Sequence, residues 1–113
     1  MRPDPSSRIE LLQGTLYLLI LRTLLTGPTH GHAIAKHIQR TSEDLLQVET
    51  GSLYPALHRM EEAGWISAEW IVRENGKKVR AYSLTPSGRK ELDEAENRWS
   101  TITGAVNRVL RTA

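Results

Sequence analysis

The sequence predicts a mostly α fold with a small β-hairpin, namely a winged helix-turn-helix followed by one long C-terminal helix. Three observations lead to this prediction. Two stretches with apolar residues at helical spacing, 29–40 and 50–64, are joined by a short polar turn. An Asn-Gly pair lies between two β-rich segments, which is the strongest short-range signal for a hairpin. Thr85 and Pro86 then open an apolar repeat that continues to Val109.

The composition narrows the class of protein. A chain of 113 residues is long enough for one domain with a small core. It has no cysteine, which excludes a disulfide scaffold, thiolate metal sites and cysteine nucleophiles. The longest apolar run, residues 16–25, is too short to span a bilayer, and no signal-peptide cleavage pattern follows, so we expect a cytoplasmic protein. The net charge of +2 says little about a nucleic-acid partner, so the distribution of charge matters more.

The expected organisation is a disordered tail at 1–7, a winged helix-turn-helix domain at 8–85 and a dimerisation helix at 86–113. Ser7 followed by Glu10 is a capping-box pattern, so the first helix should begin there and end near Thr26. Apolar residues spread around most of this helix: Leu11, Leu12, Leu16, Leu18, Leu19, Ile20, Leu24 and Leu25. Such a helix is buried on several sides, and we expect a second copy of the chain to cover part of it.

The second helix should begin near Thr29 or His30 and end at about Arg40, with Ile34 and Ile38 facing inward. A turn over residues 41–49 separates it from the third helix.

The third helix contains a proline, Pro55, within an apolar stripe that we assign to the core. The stripe is Leu53, Leu57, Met60 and Ala63. Thr50 or Ser52 can cap this helix. With the cap at Ser52, Pro55 lies in the first turn, where its missing N–H has little or no intrahelical partner to lose. Gly64 should end the helix.

The register of the hairpin depends on the length of its loop. A strict two-residue turn would pair Trp70 with Ala81 and place Tyr82 opposite Glu69. A bulge or a longer loop through Lys77 would shift the pairing. We expect this shift because it places the apolar residues of both strands on one buried face of the sheet: Ile66, Ala68, Trp70, Tyr82 and Leu84.

The last helix should run from the cap at Thr85 to about Leu110. Its apolar residues alternate in spacing between three and four, which is typical of a coiled-coil seam. This apolar seam is Leu92, Ala95, Trp99, Ile102, Val106 and Val109. A helix of about 25 residues is roughly 38 Å long, more than so small a core can cover. We therefore expect the seam to pair with the same helix of a second subunit across a two-fold axis.

The distribution of charge predicts that the third helix and the hairpin bind double-stranded DNA. Residues 73–80 carry four cationic side chains and one acidic one, a local charge of +3, which suits phosphate neutralisation. Acids gather instead on the last helix, at Glu91, Asp93, Glu94 and Glu96. The predicted DNA contacts are Thr50, Ser52, Tyr54, Pro55, His58 and Arg59 on the third helix, with Lys77, Lys78 and Arg80 on the hairpin.

Three segments resemble the PadR family of bacterial transcriptional regulators: HGHAIAKHI at 30–38, TGSLYPALHRMEEAGWI at 50–66 and GKKVRAYSLTPSGRKEL at 76–92. The resemblance covers most of residues 9–110, and the chain departs from the family pattern at His32, where an aromatic residue is common. It implies a homodimeric repressor of a palindromic operator, from the short branch of the family without a separate C-terminal domain. It also implies that Trp99 lines a pocket at the dimer interface and stacks on a small planar or aromatic effector.

Other functions have less support. The histidines His30, His32, His37 and His58 lack the spacing and the acidic partners of a metal site, so we expect no metal and no cofactor. No nucleophile elbow, phosphate-binding glycine loop or catalytic carboxylate pair stands out, so we do not expect an enzyme. Two alternatives stay open: a winged-helix module that binds a protein instead of DNA, and a regulator without an effector. For Tyr54 and Trp99 in particular, simple packing is the competing interpretation.

Overall fold

The computed structural model describes residues 9–10 and 13–112 and confirms the predicted fold class. In chain order the elements are β1 Ile9–Glu10, α1 Gln13–Leu24, β2 Thr29–His30, α2 Gly31–Thr41, β3 Leu46–Gln47, α3 Thr50–Glu62, β4 Ile66–Val72, β5 Lys78–Leu84 and α4 Pro86–Arg111. The strands form a three-stranded antiparallel sheet in the order β2-β5-β4, and a separate parallel pair of β1 with β3. Within the described residues, no helix is long and apolar enough to cross a membrane.

One hydrophobic core joins α1, α2, α3, the sheet and the start of α4. Its fully buried side chains are Ile20, Leu21, Ile34, Leu53, Leu57, Met60, Ile66 and Leu92. Ile34 and Ile38 face inward from α2, and three of the four stripe residues of α3 are buried, as the sequence predicts. Ala63 is the exception, because it is the exposed C-cap residue of the helix.

The predicted start of the first helix is wrong. Glu10 is not the third residue of a helix; Ile9 and Glu10 are extended and pair in parallel with Leu46 and Gln47, and α1 begins at Gln13. This strand pairing joins residues 37 positions apart in sequence, and a local capping pattern contains no information about it. Ser7, the tail at 1–7, Leu11 and Leu12 lie outside the described residues.

The start of α2 is capped as its sequence position suggests. His30 is the N-cap, and its Nδ1 accepts a hydrogen bond from the Ala33 N–H at 3.3 Å. Thr29 and His30 also pair with Tyr82 and Ala81 of β5, so a short strand leads directly into the helix.

The cap predicted for α3 is wrong. The N-cap is Glu49, whose carbonyl accepts from the N–H groups of Ser52 and Leu53, and no side chain caps the helix. Pro55 is therefore the sixth helical residue instead of a first-turn residue. The Gly51 carbonyl loses the donor that residue 55 would otherwise supply, and it lies on an exposed residue that water can reach.

The end of α3 agrees with the sequence prediction. Gly64 adopts a positive φ of 82°, its N–H donates to the Glu61 carbonyl, and the Trp65 N–H donates to the Met60 carbonyl. These two bonds make a Schellman motif, for which glycine is the favoured residue.

The hairpin has the predicted shifted register. Ala68 pairs with Tyr82, Trp70 pairs with Arg80, and the Arg73 N–H donates to the Lys77 carbonyl. The loop therefore has three residues, 74–76, and ends with Gly76 at a φ of 82°, as expected for this loop length. Burial of Trp70 is a wrong prediction, because its ring is 66% exposed. The strands extend past the core at this point, so the inner face of the hairpin opens to solvent.

Helix α4 begins as predicted, with the Thr85 hydroxyl accepting from the Gly88 N–H at 2.9 Å. The first part of the helix packs on the core, where Leu92 is buried and Ala95 partly buried, and Glu96 lies 3.4 Å from Arg22 of α1. Beyond this point the apolar seam is open: Trp99 is 48% exposed and Val109 is 72% exposed.

Candidate nucleic-acid interface

The outward face of α3 is accessible. The core-facing stripe of this helix leaves every predicted DNA contact on its other sides, and all six are exposed: Thr50, Ser52, Tyr54, Pro55, His58 and Arg59. At 100° per residue, Tyr54 and His58 lie toward one flank of the helix and Ser52 and Arg59 toward the other. The helix therefore offers a continuous polar surface instead of a single polar edge.

The hairpin lies on the same side of the molecule as this polar surface. A cleft of about 590 Å³ separates α3 from the hairpin. It is lined by His30, Gly31 and His32 at the start of α2, by Tyr54, His58 and Glu61 of α3, and by Trp70, Arg73, Lys78, Val79, Arg80 and Tyr82 of the hairpin. Three elements that are distant in sequence thus meet around one opening.

Tyr54 combines packing with exposure. Its ring lies so close to Gly31 that a β-carbon at that position would be 2.9 Å from Cε1, so only glycine fits there without moving the ring. The rest of the side chain faces the cleft, with 45% of the residue exposed. The packing interpretation is therefore correct for one edge of the ring, while DNA contact by the other edge stays a prediction.

Acidic residues of α3 hold two side chains that the sequence assigns to DNA. The Glu61 carboxylate lies 3.0 Å from Arg80 Nη2, and the Glu62 carboxylate lies 3.1 Å from His58 Nε2. The Arg80 guanidinium also lies over the Trp70 ring, 5.7 Å from its centroid. Arg80 is consequently held in place by Glu61 and Trp70, whereas Lys77 and Lys78 form no ion pair among the described residues.

Arg59 lies beside the start of α1. With the Gln13 amide oriented so that its oxygen faces the guanidinium, that oxygen is 3.2 Å from both Nη1 and Nε of Arg59. The side chain remains exposed and its contact is to a neutral group, so the full positive charge is available to a ligand.

The hairpin tip supplies free cations. Lys77 and Lys78 are exposed, and in the part of the chain that the structure describes no carboxylate forms an ion pair with either of them or with Arg73. On α4 the acids are largely neutralised locally, since Glu91 pairs with Arg98, Asp93 with Arg89, and Glu96 with Arg22. The cationic tip is therefore the part of the surface best suited to phosphate.

The comparison with known proteins agrees with this geometry. The model of the transcriptional regulator PadR-like family matches residues 20–94, about two thirds of the chain. The chain belongs to the PadR family. It is 33% identical over 85 residues to the transcriptional regulator Rv3488 of Mycobacterium tuberculosis, with 75% of this chain and 76% of that protein covered.

Solved structures of transcriptional regulators have the same fold. A PadR family transcriptional regulator from Eggerthella lenta superposes with a TM-score of 0.77 at 30% identity, covering 89% of this chain and 86% of that one. A transcriptional regulator from Clostridium thermocellum gives 0.79 at 27% identity, covering 85% and 93%. This chain is accordingly a transcriptional regulator of the PadR type, with a winged helix and one C-terminal helix.

Sequence reasoning missed part of the PadR cleft. From the sequence, Arg73 contributes only to the hairpin charge, and Trp70 is expected in the core. His30, near the expected start of the second helix, and His32, where the chain departs from the family pattern, are not expected to line a cleft. The two imidazole rings are parallel, with centroids 6.5 Å apart. The pairing of Thr29–His30 with β5 brings them to the cleft, and no local pattern signals that pairing. The match to the PadR pattern at 30–38 was the available sign that this segment matters.

Titration of His30 should affect the stability of this PadR chain. Burial lowers the pKa of His30 from 6.5, and the charges of Arg73 and His32 lower it further. The unfolded chain therefore takes up this proton more readily than the folded one, so His30 contributes stability above about pH 6.5 that is lost as the pH falls toward the lowered value. Protonation also removes the Nδ1 acceptor that caps α2.

We expect His30→Asn to keep a cap that does not titrate, and so to reduce the loss of stability between pH 7.5 and 5.5. Urea unfolding of both proteins at the two pH values measures this. His37→Asn, which removes an exposed histidine of the same helix, is the control and should leave the pH dependence close to that of the wild type. An unchanged pH dependence in His30→Asn would contradict the assigned role.

Proposed function

We propose that this PadR regulator is a homodimeric repressor that binds a palindromic operator through α3 and the hairpin, and that a small planar or aromatic effector at the dimer interface releases it. The observation that carries the proposal is the position of the exposed α3 surface and the cationic hairpin tip around one cleft. A groove-reading helix flanked by a phosphate-binding wing is the arrangement by which winged helices bind duplex DNA.

Helix α3 enters the major groove. Side chains at its exposed N-terminal half, namely Thr50, Ser52, Tyr54 and Pro55, reach base edges or the flanking backbone, with His58 and Arg59 one turn further on. Because no side chain among the described residues caps the helix, the backbone N–H groups of Thr50 and Gly51 are left to bind a phosphate. Lys77 and Lys78 neutralise phosphates on the adjacent backbone.

Two subunits associate through the open part of the apolar seam. Leu92 and Ala95 pack on the core of their own chain, so the residues left for a partner are Trp99, Ile102, Val106 and Val109. These side chains lie on the segment of α4 beyond the core, in a molecule 58 Å long. A two-fold axis along this segment would set two α3 helices at the spacing of successive major grooves, about 34 Å.

The effector binds between the subunits and stacks on Trp99. Its exposed indole offers an apolar, planar surface. Repression is lifted by population shift, because the effector prefers a dimer in which the two α3 helices are wrongly spaced for the operator. A regulator without an effector would instead show no change in Trp99 fluorescence on titration with planar aromatic compounds.

Substitution of two exposed cations, one on α3 and one on the hairpin, tests the DNA surface. We expect Arg59→Ala and Lys78→Ala each to weaken binding to the operator by roughly ten-fold at 0.1 M salt. Lys78→Ala should also lower the slope of log affinity against log salt by about 0.9 for each subunit bound, or about 1.8 for the dimer. Fluorescence anisotropy across a salt titration measures both, with an operator taken from the region next to the gene or selected from random duplexes.

Gln13→Ala is the matched control for Arg59→Ala, because it removes the neutral partner of Arg59 and leaves the cation in place. It should bind DNA like the wild type. Wild-type affinity in both cation variants would show that the DNA surface is assigned wrongly. No binding of the wild-type protein to any random duplex would favour the alternative, a winged-helix module that recognises a protein.

A further inference from the structure

Arg80 connects the hairpin to the recognition helix α3. Its Nη2 donates to Glu61 of α3 at 3.0 Å, and its guanidinium lies 5.7 Å from the centroid of the Trp70 ring on β4. The Arg80 and Glu61 side chains are only 38% and 30% exposed. Within the described residues this is the one ion pair that joins α3 to the hairpin.

The shifted register of the hairpin makes this contact available. Arg80 lies directly opposite Trp70 on the neighbouring strand only because the loop has three residues, 74–76. A two-residue turn would have placed Ala81 there and directed Arg80 to the other face of the sheet. Loop length thus decides whether the guanidinium points toward α3.

The contact between Arg80 and Glu61 contributes little to the stability of the fold. One polar atom of Arg80, its Nε, is buried without a hydrogen-bond partner among the described residues, which is unfavourable. A partly buried ion pair also contributes little net stability, because desolvation opposes the attraction of the charges. What the arrangement does provide is a fixed distance between two elements that both face the cleft.

We propose that Arg80 is a positioning residue, which fixes the hairpin relative to α3 by bridging Glu61 and Trp70. This inference rests on the proposed DNA-binding function. Held in this way, the hairpin keeps Lys77 and Lys78 within reach of the phosphates that flank the groove occupied by α3. Without the bridge the end of the hairpin, residues 73–78, becomes more mobile, and its lysines have to be ordered each time DNA binds.

The role of Glu61 separates this proposal from simple electrostatics, because the two predict effects of opposite sign. Glu61 lines the cleft, so its negative charge repels phosphate, and its removal should tighten DNA binding if charge were all that mattered. If Glu61 instead holds Arg80 in place, its removal should weaken DNA binding. The chain also offers a matched control in the adjacent residue, since Glu62 pairs with His58 of its own helix and forms no ion pair with the hairpin among the residues that the structure describes.

The experiment compares Glu61→Gln with Glu62→Gln on the same operator, in the full chain and well below both melting temperatures. We expect Glu61→Gln to bind at least about ten-fold more weakly at 0.1 M salt. The salt slope should fall by about 1.8 for each subunit bound, because the contacts of both lysines are lost in each subunit. Glu62→Gln should bind about two-fold more tightly or better, with a slope no smaller than that of the wild type. Equal or tighter binding by Glu61→Gln, or an unchanged slope, would overturn the proposal.

A measurement without DNA keeps this proposal separate from the proposed function. Heteronuclear ¹⁵N relaxation of the hairpin amides reports motion on the picosecond to nanosecond timescale. Order parameters of residues 73–78 should fall in Glu61→Gln and stay at wild-type values in Glu62→Gln. If the wild-type protein binds no DNA, the function is wrong and this comparison alone decides the bridge. If the order parameters are unchanged, the bridge does not position the hairpin.

Discussion

Replacing Gly88 with alanine should cost about 3 kcal/mol of the free energy of unfolding and lower the melting temperature by roughly 12 °C. A β-carbon at this position would lie 1.9 Å from the Trp65 carbonyl oxygen and 3.0 Å from Leu84 Cδ1. The first turn of α4 crosses the backbone that follows α3 at this point, and Thr85 holds it there through a bond to the Trp65 carbonyl and another to the Gly64 carbonyl. The backbone therefore cannot move aside without breaking these bonds.

Gly104→Ala is the matched control for this substitution. Gly104 lies in the same helix, and an added β-carbon there meets only Arg108 Nη1 at 3.6 Å, an ordinary contact. Alanine should therefore stabilise the helix by about 0.5–1 kcal/mol through its higher helix propensity. Thermal unfolding followed by circular dichroism, at one fixed protein concentration, compares the two. A Gly88→Ala protein that melts with the wild type would contradict the tight crossing.

Ile102→Asp should convert the proposed dimer to a monomer and weaken binding to a full palindrome by about 10² to 10⁴-fold. A charge in the middle of the apolar seam would be buried without a partner on association. A monomer engages one half-site and loses the effective concentration that linkage provides for the second. Light scattering after gel filtration measures the subunit number, and anisotropy with full and half operators measures the affinity.

Asn97→Asp introduces the same charge on the opposite face of α4, where the helix is exposed. It should remain dimeric and bind the full operator nearly as the wild type does. If Ile102→Asp also remained dimeric, the subunits would associate through some other surface, and the proposed spacing of the two α3 helices would have to be abandoned.

Features decided by local chemistry were predictable from the sequence. Gly64 ends α3 because a left-handed residue is needed there, and Thr85 with Pro86 starts α4 because cap and proline chemistry act over a few residues. The hairpin register was also predictable, since a strict two-residue turn would place the apolar residues of the two strands on different faces, whereas the shifted pairing places them on one face.

Features decided by distant contacts were not predictable. The parallel pairing of β1 with β3 and the pairing of β2 with β5 join segments that carry no matching pattern. The start of α3 at Thr50 overrides two good capping residues, because Glu49 is already extended and its carbonyl accepts the first helical bonds. In each case tertiary structure overrides a local preference.

The candidate interface shows the same division. Exposure of His58, Arg59, Lys77 and Lys78 follows from their position relative to an apolar stripe or a turn, so the sequence was sufficient. The environment of Arg80 depends on which acid of α3 faces the hairpin and on where the core ends beneath Trp70. Both are properties of packing between elements, and side-chain spacing along one element does not determine them.

The tight crossing at Gly88 also fixes the point about which α4 can tilt. The 26 residues of α4 span about 39 Å, and the crossing lies near the N-terminal end of this helix, next to the end of α3. A tilt of about ten degrees there displaces the far end of the helix by about 6 Å, slightly more than one helical pitch of about 5.4 Å. In the proposed dimer, an effector that shifts the distal end of α4 by part of that distance would change the orientation of both α3 helices. Substitutions at the crossing should then alter the response to the effector without changing a residue of either proposed binding site.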